Sequence, residues 1–279
     1  MTLQNLLDDL TIARHGATPL TWPATTPADL SEAYAVALAV REQRIATGEV
    51  PAGYKVGFTN RNIWQRYNVE APIWGTVWQS SLTFCRPEKM GGTPEEVVSL
   101  QGLSEPRIEP EIIFCLRTAP PISCTLAQLA ACIDWVAHGF EIVHTHFPAW
   151  KFTAAQGVAD AGLHGRLLVG QTVKVPEDIQ VAELTLALSG LRLKLYGEDV
   201  LIEEGAGTNV LDGPMQALHH FVQEIRATPN APLLKAGDVV TTGTLTDAYP
   251  VQPGQCWYSQ LEATGPVAEQ LKGLKLRFE

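Results

Sequence analysis

The stretch Arg107-Ile108-Glu109-Pro110-Glu111 sets two carboxylates two residues apart, directly ahead of the apolar run Ile112-Ile113-Phe114-Cys115-Leu116. A run rich in β-branched and aromatic residues reads as a buried strand, and strand side chains alternate faces, so Glu109 and Glu111 point the same way. Like charges in one spot raise each other's pKa unless a cation lies between them, and a hard divalent ion with oxygen ligands is the simplest such cation. A solvated edge strand would carry the same pair without any chemistry. A third carboxylate strengthens the metal reading: Glu141 stands alone between Phe140 and Ile142 in the strand-like run 135–143. A lone charge in apolar surroundings is costly unless paired or coordinated. If the two strands are neighbours, Glu109, Glu111 and Glu141 converge on one cation with positions left for water and substrate. That is a Mg²⁺ or Mn²⁺ pattern, not a zinc one.

Other polar residues stand out against their surroundings. Lys55 lies in the strand-like run Pro51-Ala52-Gly53-Tyr54-Lys55-Val56-Gly57. Such a lysine either snorkels to the surface or is held in a site where a carboxylate sets its pKa. His144 and His146, two residues apart, would share one strand face as metal ligands, proton carriers or a merely polar pair. Asp160, in Val158-Ala159-Asp160-Ala161-Gly162, is an outer-shell group orienting metal-bound water or a turn former. The run 236–244 ends in Gly243-Thr244, where backbone N–H groups and the Thr244 hydroxyl suit a carboxylate or make a plain turn.

These motifs resemble the fumarylacetoacetate hydrolase superfamily. Arg107-Ile108-Glu109-Pro110-Glu111, then Phe140-Glu141-Ile142-Val143, then Val158-Ala159-Asp160 are most similar to the branch holding 2-keto-4-pentenoate hydratase, 2-oxohept-3-enedioate hydratase and 4-oxalocrotonate decarboxylase. Gly53-Tyr54-Lys55-Val56-Gly57 and the Gly243-Thr244 turn extend the likeness over nearly the whole chain. The resemblance implies a homo-oligomeric, divalent-metal-dependent lyase acting on a small 2-oxo or 2-hydroxydienoate acid. Glu109, Glu111 and Glu141 would hold the metal, Lys55 would move protons or bind a carboxylate, and Asp160 would position the metal shell. The chain departs from the family at Ile73, where hydratases often carry Asp, at His144 and His146, where relatives usually show Asp and Arg, and at Ala161 in place of Asn. The change at Ile73 tilts towards decarboxylase-like members, and the histidine pair becomes a candidate for substrate selection. Hydrolysis of an acylpyruvate C–C bond is less apt, since its nearest His and Glu candidates, His15 and Glu32, are far apart. A catalytically lapsed relative that binds a 2-oxo acid is the reading from another class.

Whatever the chemistry, elements must carry it. The 279 residues are ample for a buried core, and 46% hydrophobic with 18% charged residues describes a globular chain. A net charge of -10 argues against a nucleic-acid or anionic-membrane surface. No apolar stretch approaches the roughly 20 residues of a membrane span, and the start lacks a basic signal segment, so a cytoplasmic enzyme is expected. Five scattered cysteines without a C-x-x-C pair fit reduced thiols. The expected fold is α+β, with an N-terminal helical lobe and the Lys55 strand over 1–85 and a strand-rich, rolled catalytic domain over 86–279. Helices are expected over 2–15, after Thr26-Pro27, over 62–67, over 123–132 and over 214–227. Residues 72–75 read as a loop. Leu184-Leu186-Leu188 and Leu191-Leu193-Leu195 read as strands by period two, and 255–261 as the last strand.

Overall fold

The computed structural model describes residues 3–20, 27–85 and 95–279. In chain order the elements are α1 (Leu3–Gly16), α2 (Leu30–Ala46), β1 (Pro51–Gly57), α3 (Trp64–Tyr67), β2 (Ile73–Trp78), β3 (Leu82–Phe84) and β4 (Glu95–Val98). Then follow β5 (Arg107–Leu116), α4 (Leu126–Ala131), β6 (Ile133–Val143), α5 (Ala154–Ala159), β7 (His164–Lys174) and α6 (Val181–Ser189). The chain closes with β8 (Arg192–Gly197), β9 (Val200–Ala206), α7 (Pro214–Ala227), β10 (Val239–Thr244), β11 (Tyr249–Pro250), β12 (Cys256–Glu262) and β13 (Lys275–Phe278).

The two acidic strands lie side by side. The larger sheet runs β2-β1-β10-β5-β6-β7-β3, with β11 also on β5, and the smaller runs β4-β13-β12-β8-β9. β5 and β6 are antiparallel in a register that sets Glu109 opposite Glu141 and Glu111 opposite Gly139. Alternation then sorts the faces. Ile108, Ile112, Phe114 and Phe140 face the main core, which they share with Leu193 and Leu195 of β8, Leu218 and Phe221 of α7 and Leu276 of β13. The carboxylates share the opposite face with Ile113 and Ala137, which pack with Val77, Leu167, Val169 and Val239. Gly139 has to be glycine, because a Cβ there would lie 2.2 Å from the Leu168 carbonyl oxygen and 2.5 Å from Ile113 Cδ1.

β1 and β2 are hydrogen-bonded into this same sheet, β1 parallel to β10 and antiparallel to β2. The Lys55 strand is thus part of the large sheet. His138 ties the two sheets together: its Nδ1–H donates to the Glu111 carbonyl (3.1 Å) and Nε2 meets Ser259 Oγ of β12 (2.7 Å). Burial outweighs the carbonyl bond and brings His138 down to about 4, so the imidazole is a neutral structural bridge.

The N-terminal helices pack by the apolar stripe that the sequence carries. Leu6, Leu10 and Val36 meet Ala159, and Ala33 meets Ile73, Ala155 and Val158. Of the expected entry to α2, Thr26 lies outside the described residues. The N-cap is Asp29, whose side chain accepts from Glu32 N while Glu32 Oε2 accepts from Ala28 N, a reciprocal capping arrangement.

Three local expectations are corrected. Leu184 to Leu188 is helical: Leu184, Ala187 and Leu188 are buried at helical spacing, while Leu186 is 74% exposed. Three leucines at period two fitted a strand, but the i, i+3, i+4 face includes an alanine that the pattern overlooked. Ile73 and its followers are not a loop but the start of the fully buried β2, because Pro72 sits just before the strand, where no ladder donor is needed. The strand β12 is not the last, since β13 pairs with it antiparallel and with β4 in parallel.

Candidate metal centre

Glu109, Glu111 and Glu141 each offer a carboxylate oxygen, and these atoms lie within 4.8 Å of one another. Register brings Glu109 and Glu141 together, and period two adds Glu111. Each carboxylate is oriented by the elements around it. Glu111 Oε2 accepts from the backbone N–H groups of Thr242 (3.0 Å) and Gly243 (2.6 Å). Those donors come from an irregularity in β10, where register shifts between Thr241 and Thr244 and Gly243 takes φ 89°, a conformation glycine adopts without strain. The turn expected to hold a substrate carboxylate therefore spends its N–H groups on the protein's own Glu111. Thr244 is half-buried opposite Glu111, and its hydroxyl accepts from Thr246 N (3.3 Å).

Glu141 is fully buried between two basic groups. Oε2 is 3.1 Å from Lys55 Nζ, and Oε1 accepts from His164 Nδ1–H at 2.8 Å. His164 Nε2 in turn meets Ser81 Oγ at 2.7 Å, a hydroxyl–imidazole–carboxylate relay that fixes ring orientation as partners of ligating groups do. Lys55 is 3% exposed, so the surface alternative falls. It stands three strands from Glu141, about 14 Å on a flat sheet at ordinary strand spacing, and the curl of the sheet brings the two into contact.

Charge crowding is written into the pKa directions. Burial pushes Glu109 up to about 7, with Lys55 and Arg107 opposing and Glu141 adding to the rise. Glu111 is driven well above the usual carboxylate range by burial and then by Glu141 and Glu109. Burial also opposes ionisation of Glu141, but Lys55 and His164 outweigh it and hold this carboxyl below its ordinary value. For Lys55, burial works downward and the three carboxylates overcome it, so the ammonium is held above its ordinary value. One ammonium offsets one carboxylate, and full ionisation of all three would leave an excess of negative charge.

The residues fit a hard divalent cation. The donors are all oxygen, and Glu111 Oε1 is buried without a hydrogen-bond partner on the side away from the β10 turn. An orphaned carboxylate oxygen facing two other carboxylates is the signature of a cation position, and oxygen-only donors select Mg²⁺, Mn²⁺ or Ca²⁺ over zinc. Because burial and mutual repulsion push Glu109 up to about 7 and Glu111 upward as well, a metal has to compete with protons for these ligands. Mg²⁺ affinity is expected to rise from pH 6 to pH 8, by up to about tenfold per unit for each proton released. Calorimetry in buffers of different ionisation enthalpy reads that release directly. Equal affinity at both pH values with no proton release would count against these ligands.

Asp160, His144 and His146 form a separate buried cluster. His144 and His146 lie just past β6 rather than on it. Asp160 Oδ1 accepts from His146 Nδ1–H (2.8 Å) and Arg14 Nη2 (3.3 Å), and Oδ2 from His146 N (2.9 Å) and the Thr145 hydroxyl (3.4 Å). Burial alone would raise Asp160, but His146, Arg14 and His144 bring it down to about 2. His144 accepts from Ser104 N through Nδ1 and is lowered to about 3, chiefly by burial. The hydrogen-bond partners of Asp160 are thus His146, Thr145 and Arg14, with His144 acting on it only through charge. The cluster joins the lysine side of the centre through the next turn, where a Cβ on Gly162 would stand 3.2 Å from Lys55 Cδ.

Sequence reasoning missed His164, Ser81 and Arg14. His164 had a signal, a histidine opening a strand right after the Asp160 turn, but its partner Glu141 is set by the β6–β7 pairing. Ser81 and Arg14 carry none in isolation.

No protein-family model matches the chain. Among curated proteins it is 30% identical to a 2-hydroxyhexa-2,4-dienoate hydratase of Comamonas testosteroni over 86% of each chain. It is 30% identical to a 4-oxalocrotonate decarboxylase of Pseudomonas sp. (strain CF600), covering 80% of this chain and 78% of that one. A 2-keto-4-pentenoate hydratase of Paraburkholderia xenovorans (strain LB400) is 26% identical over 88% of this chain and 84% of its own. Among solved structures, 4-oxalocrotonate decarboxylase from Pseudomonas putida G7, complexed with magnesium and adipate, superposes with a TM-score of 0.82 at 22% identity, covering 99% of this chain and 97% of that one.

Proposed function

Because the chain belongs to the 2-keto-4-pentenoate hydratase and 4-oxalocrotonate decarboxylase branch of the fumarylacetoacetate hydrolase superfamily, and is a lyase, we propose that it is a Mg²⁺- or Mn²⁺-dependent hydratase of a small 2-hydroxydienoate or 2-oxo-alkenoate acid. The observation that carries this reading is the convergence of three carboxylates within 4.8 Å, one with a buried orphan oxygen, beside a buried lysine. A bound divalent ion would supply Lewis-acid charge for the 2-oxo and carboxylate oxygens of the substrate.

The chain's own residues do the rest. Glu109, Glu111 and Glu141 hold the ion. The β10 turn fixes Glu111, and the His164–Ser81 relay fixes Glu141. Lys55 Nζ, already seated on Glu141, is the group placed to give and take protons during tautomerisation. Thr244 offers a half-buried hydroxyl to the substrate carboxylate, and the His144, His146 and Asp160 cluster shapes the far side. The enzyme works as a homo-oligomer, as the family resemblance implies, and in the cytoplasm; among the described residues no helix is long and apolar enough to cross a membrane.

One observation favours the sister reaction. Ile73 is fully buried on β2, and a Cβ on Gly57 would stand 3.6 Å from Ile73 Cγ1 and 3.5 Å from Lys55 Nζ. The place beside the lysine where hydratases of the branch often carry an acid is apolar here, which supports decarboxylation of a 4-oxalocrotonate-like acid. An NMR time course with Mg²⁺ on 2-hydroxypenta-2,4-dienoate and 2-oxohex-3-enedioate separates the two. A 4-hydroxy-2-oxo product is expected for hydration, and loss of CO₂ would move the assignment to decarboxylase. Turnover of neither acid by Mg²⁺-loaded protein would refute both.

A further inference from the structure

Away from the carboxylates, the structure gathers three arginines around one small cavity. Arg14 of α1 and Arg41 and Arg44 of α2 line it together with Trp74, Thr76 and Trp78 of β2, and the Ala161 turn closes one end. Each guanidinium already meets one carboxylate: Arg14 meets Asp160 (3.3 Å), Arg41 meets Glu42 (3.0 Å) and Arg44 meets Glu49 (3.2 Å). These contacts do not use all the donors. Arg14 Nη1 and Arg41 Nε are buried and have no hydrogen-bond partner. A buried guanidinium nitrogen without an acceptor is expensive, and two beside one cavity call for an acceptor inside it.

The strand adds a further donor. Among the described residues β2 is the edge of the large sheet. Trp74 N donates outward to Tyr34 Oη (3.0 Å) and Trp78 N to Ser81 Oγ (3.2 Å). Thr76 lies between them at the same parity, so its N–H faces that same edge. Arg44, stacked over Trp78 at 4.1 Å from the ring centroid, is held below its ordinary value by burial and then by the charge of Arg14.

We propose that Arg14, Arg41, Arg44 and the Thr76 N–H form a binding site for a small monovalent anion, chloride or the carboxylate of a short acid. The cavity volume of about 20 Å³ sets the size limit. It exceeds the roughly 10–15 Å³ that one water needs, admits a halide or a formate-sized carboxylate, and excludes a sugar acid such as gluconate. An anion there braces α1 and α2 against β2 and the Asp160–Ala161 turn, which together back the Lys55 strand. The site is independent of the metal and of the lyase reading.

The test starts from full-length protein in sodium gluconate buffer without chloride. Adding sodium chloride or sodium formate at constant ionic strength is expected to raise Tm saturably, by about 3–6 °C, and Arg41→Gln is expected to abolish the rise. A rise with chloride alone assigns a halide site, and one with both assigns a carboxylate-accepting site. An equal, non-saturating response to every salt, or an unchanged saturable rise in the variant, overturns the proposal. Should the variant fail to fold, crystals of the wild-type protein soaked in sodium bromide give a second reading. An anomalous peak between the three guanidinium groups is expected, and a water there with bromide only elsewhere overturns the site.

Discussion

Glu111→Gln is expected to yield a folded protein that binds Mg²⁺ at least ~100-fold more weakly and loses metal-dependent turnover. Removing a partner of a metal ligand typically costs 10–100-fold, so removing a ligand oxygen should cost at least as much. The variant should fold because the amide keeps an oxygen for the Thr242 and Gly243 N–H groups. It then turns an NH₂ group, a donor, towards Glu109 and Glu141, where a cation has to sit. Metal-free stability should not fall and should improve slightly above neutral pH. In the wild-type protein Glu111 is pushed well above the usual carboxylate range, so its ionised form is the strained one, and Gln mimics the protonated form. The signature is dissociation of two readouts: metal-free Tm at pH 8 equal to or above wild type, and no Tm rise with Mg²⁺. Full Mg²⁺-dependent activity in the variant would sink the proposed centre.

How much of this site was legible follows from the range over which each feature is determined. Glu109 and Glu111 are related by strand parity, a local rule, so two residues and an apolar run suffice to place them on one face. Glu141 could be singled out because a lone carboxylate in an apolar strand is costly, although its pairing with Glu109 is a matter of register between strands. Lys55 was ambiguous because a lysine between apolar residues reads alike on a snorkelling edge and in a buried pair. Only the curl of the sheet, which no local pattern encodes, decides between them. Arg14 is harder still. On an amphipathic helix it looks like any solvated charge, yet it reaches Asp160, 146 positions away.

The same contrast explains the fold. α7 was legible to its ends because a strong stripe of Ala217, Leu218, Phe221, Val222 and Ile225 follows Pro214 at the first turn. α6 was not, since Leu184, Leu186 and Leu188 follow period two, while the helical face is completed by Ala187 and leaves Leu186 exposed. β2 lost its strand character to the proline before it. The smaller sheet was only partly visible. β13 is four residues long and gains its place by pairing with β12 and β4.

Lys55→Met should show the reverse of the Glu111 pattern. Methionine keeps the length of the stem and removes the ammonium, so Glu141 remains fully buried with only the His164 Nδ1–H to stabilise it. Breaking one partner of a buried ion pair costs about 3–5 kcal/mol, mostly because the other charge is left uncompensated. The metal-free variant should lose stability on that scale, measured by urea unfolding with chelator present. Added Mg²⁺ places a cation beside the same carboxylate, so it should recover most of the loss, and the Mg²⁺-induced rise in Tm should exceed that of wild type. Metal affinity should be retained or increased, because a competing positive charge has left the pocket. Turnover should nevertheless collapse, since the group seated to move protons is gone while the ion and its ligands remain. A loss of stability that is the same with and without saturating Mg²⁺ would mean that Lys55 acts as packing and not as the charge partner of the centre. Unimpaired turnover in a metal-loaded variant would remove Lys55 from the chemistry while leaving the carboxylate site in place.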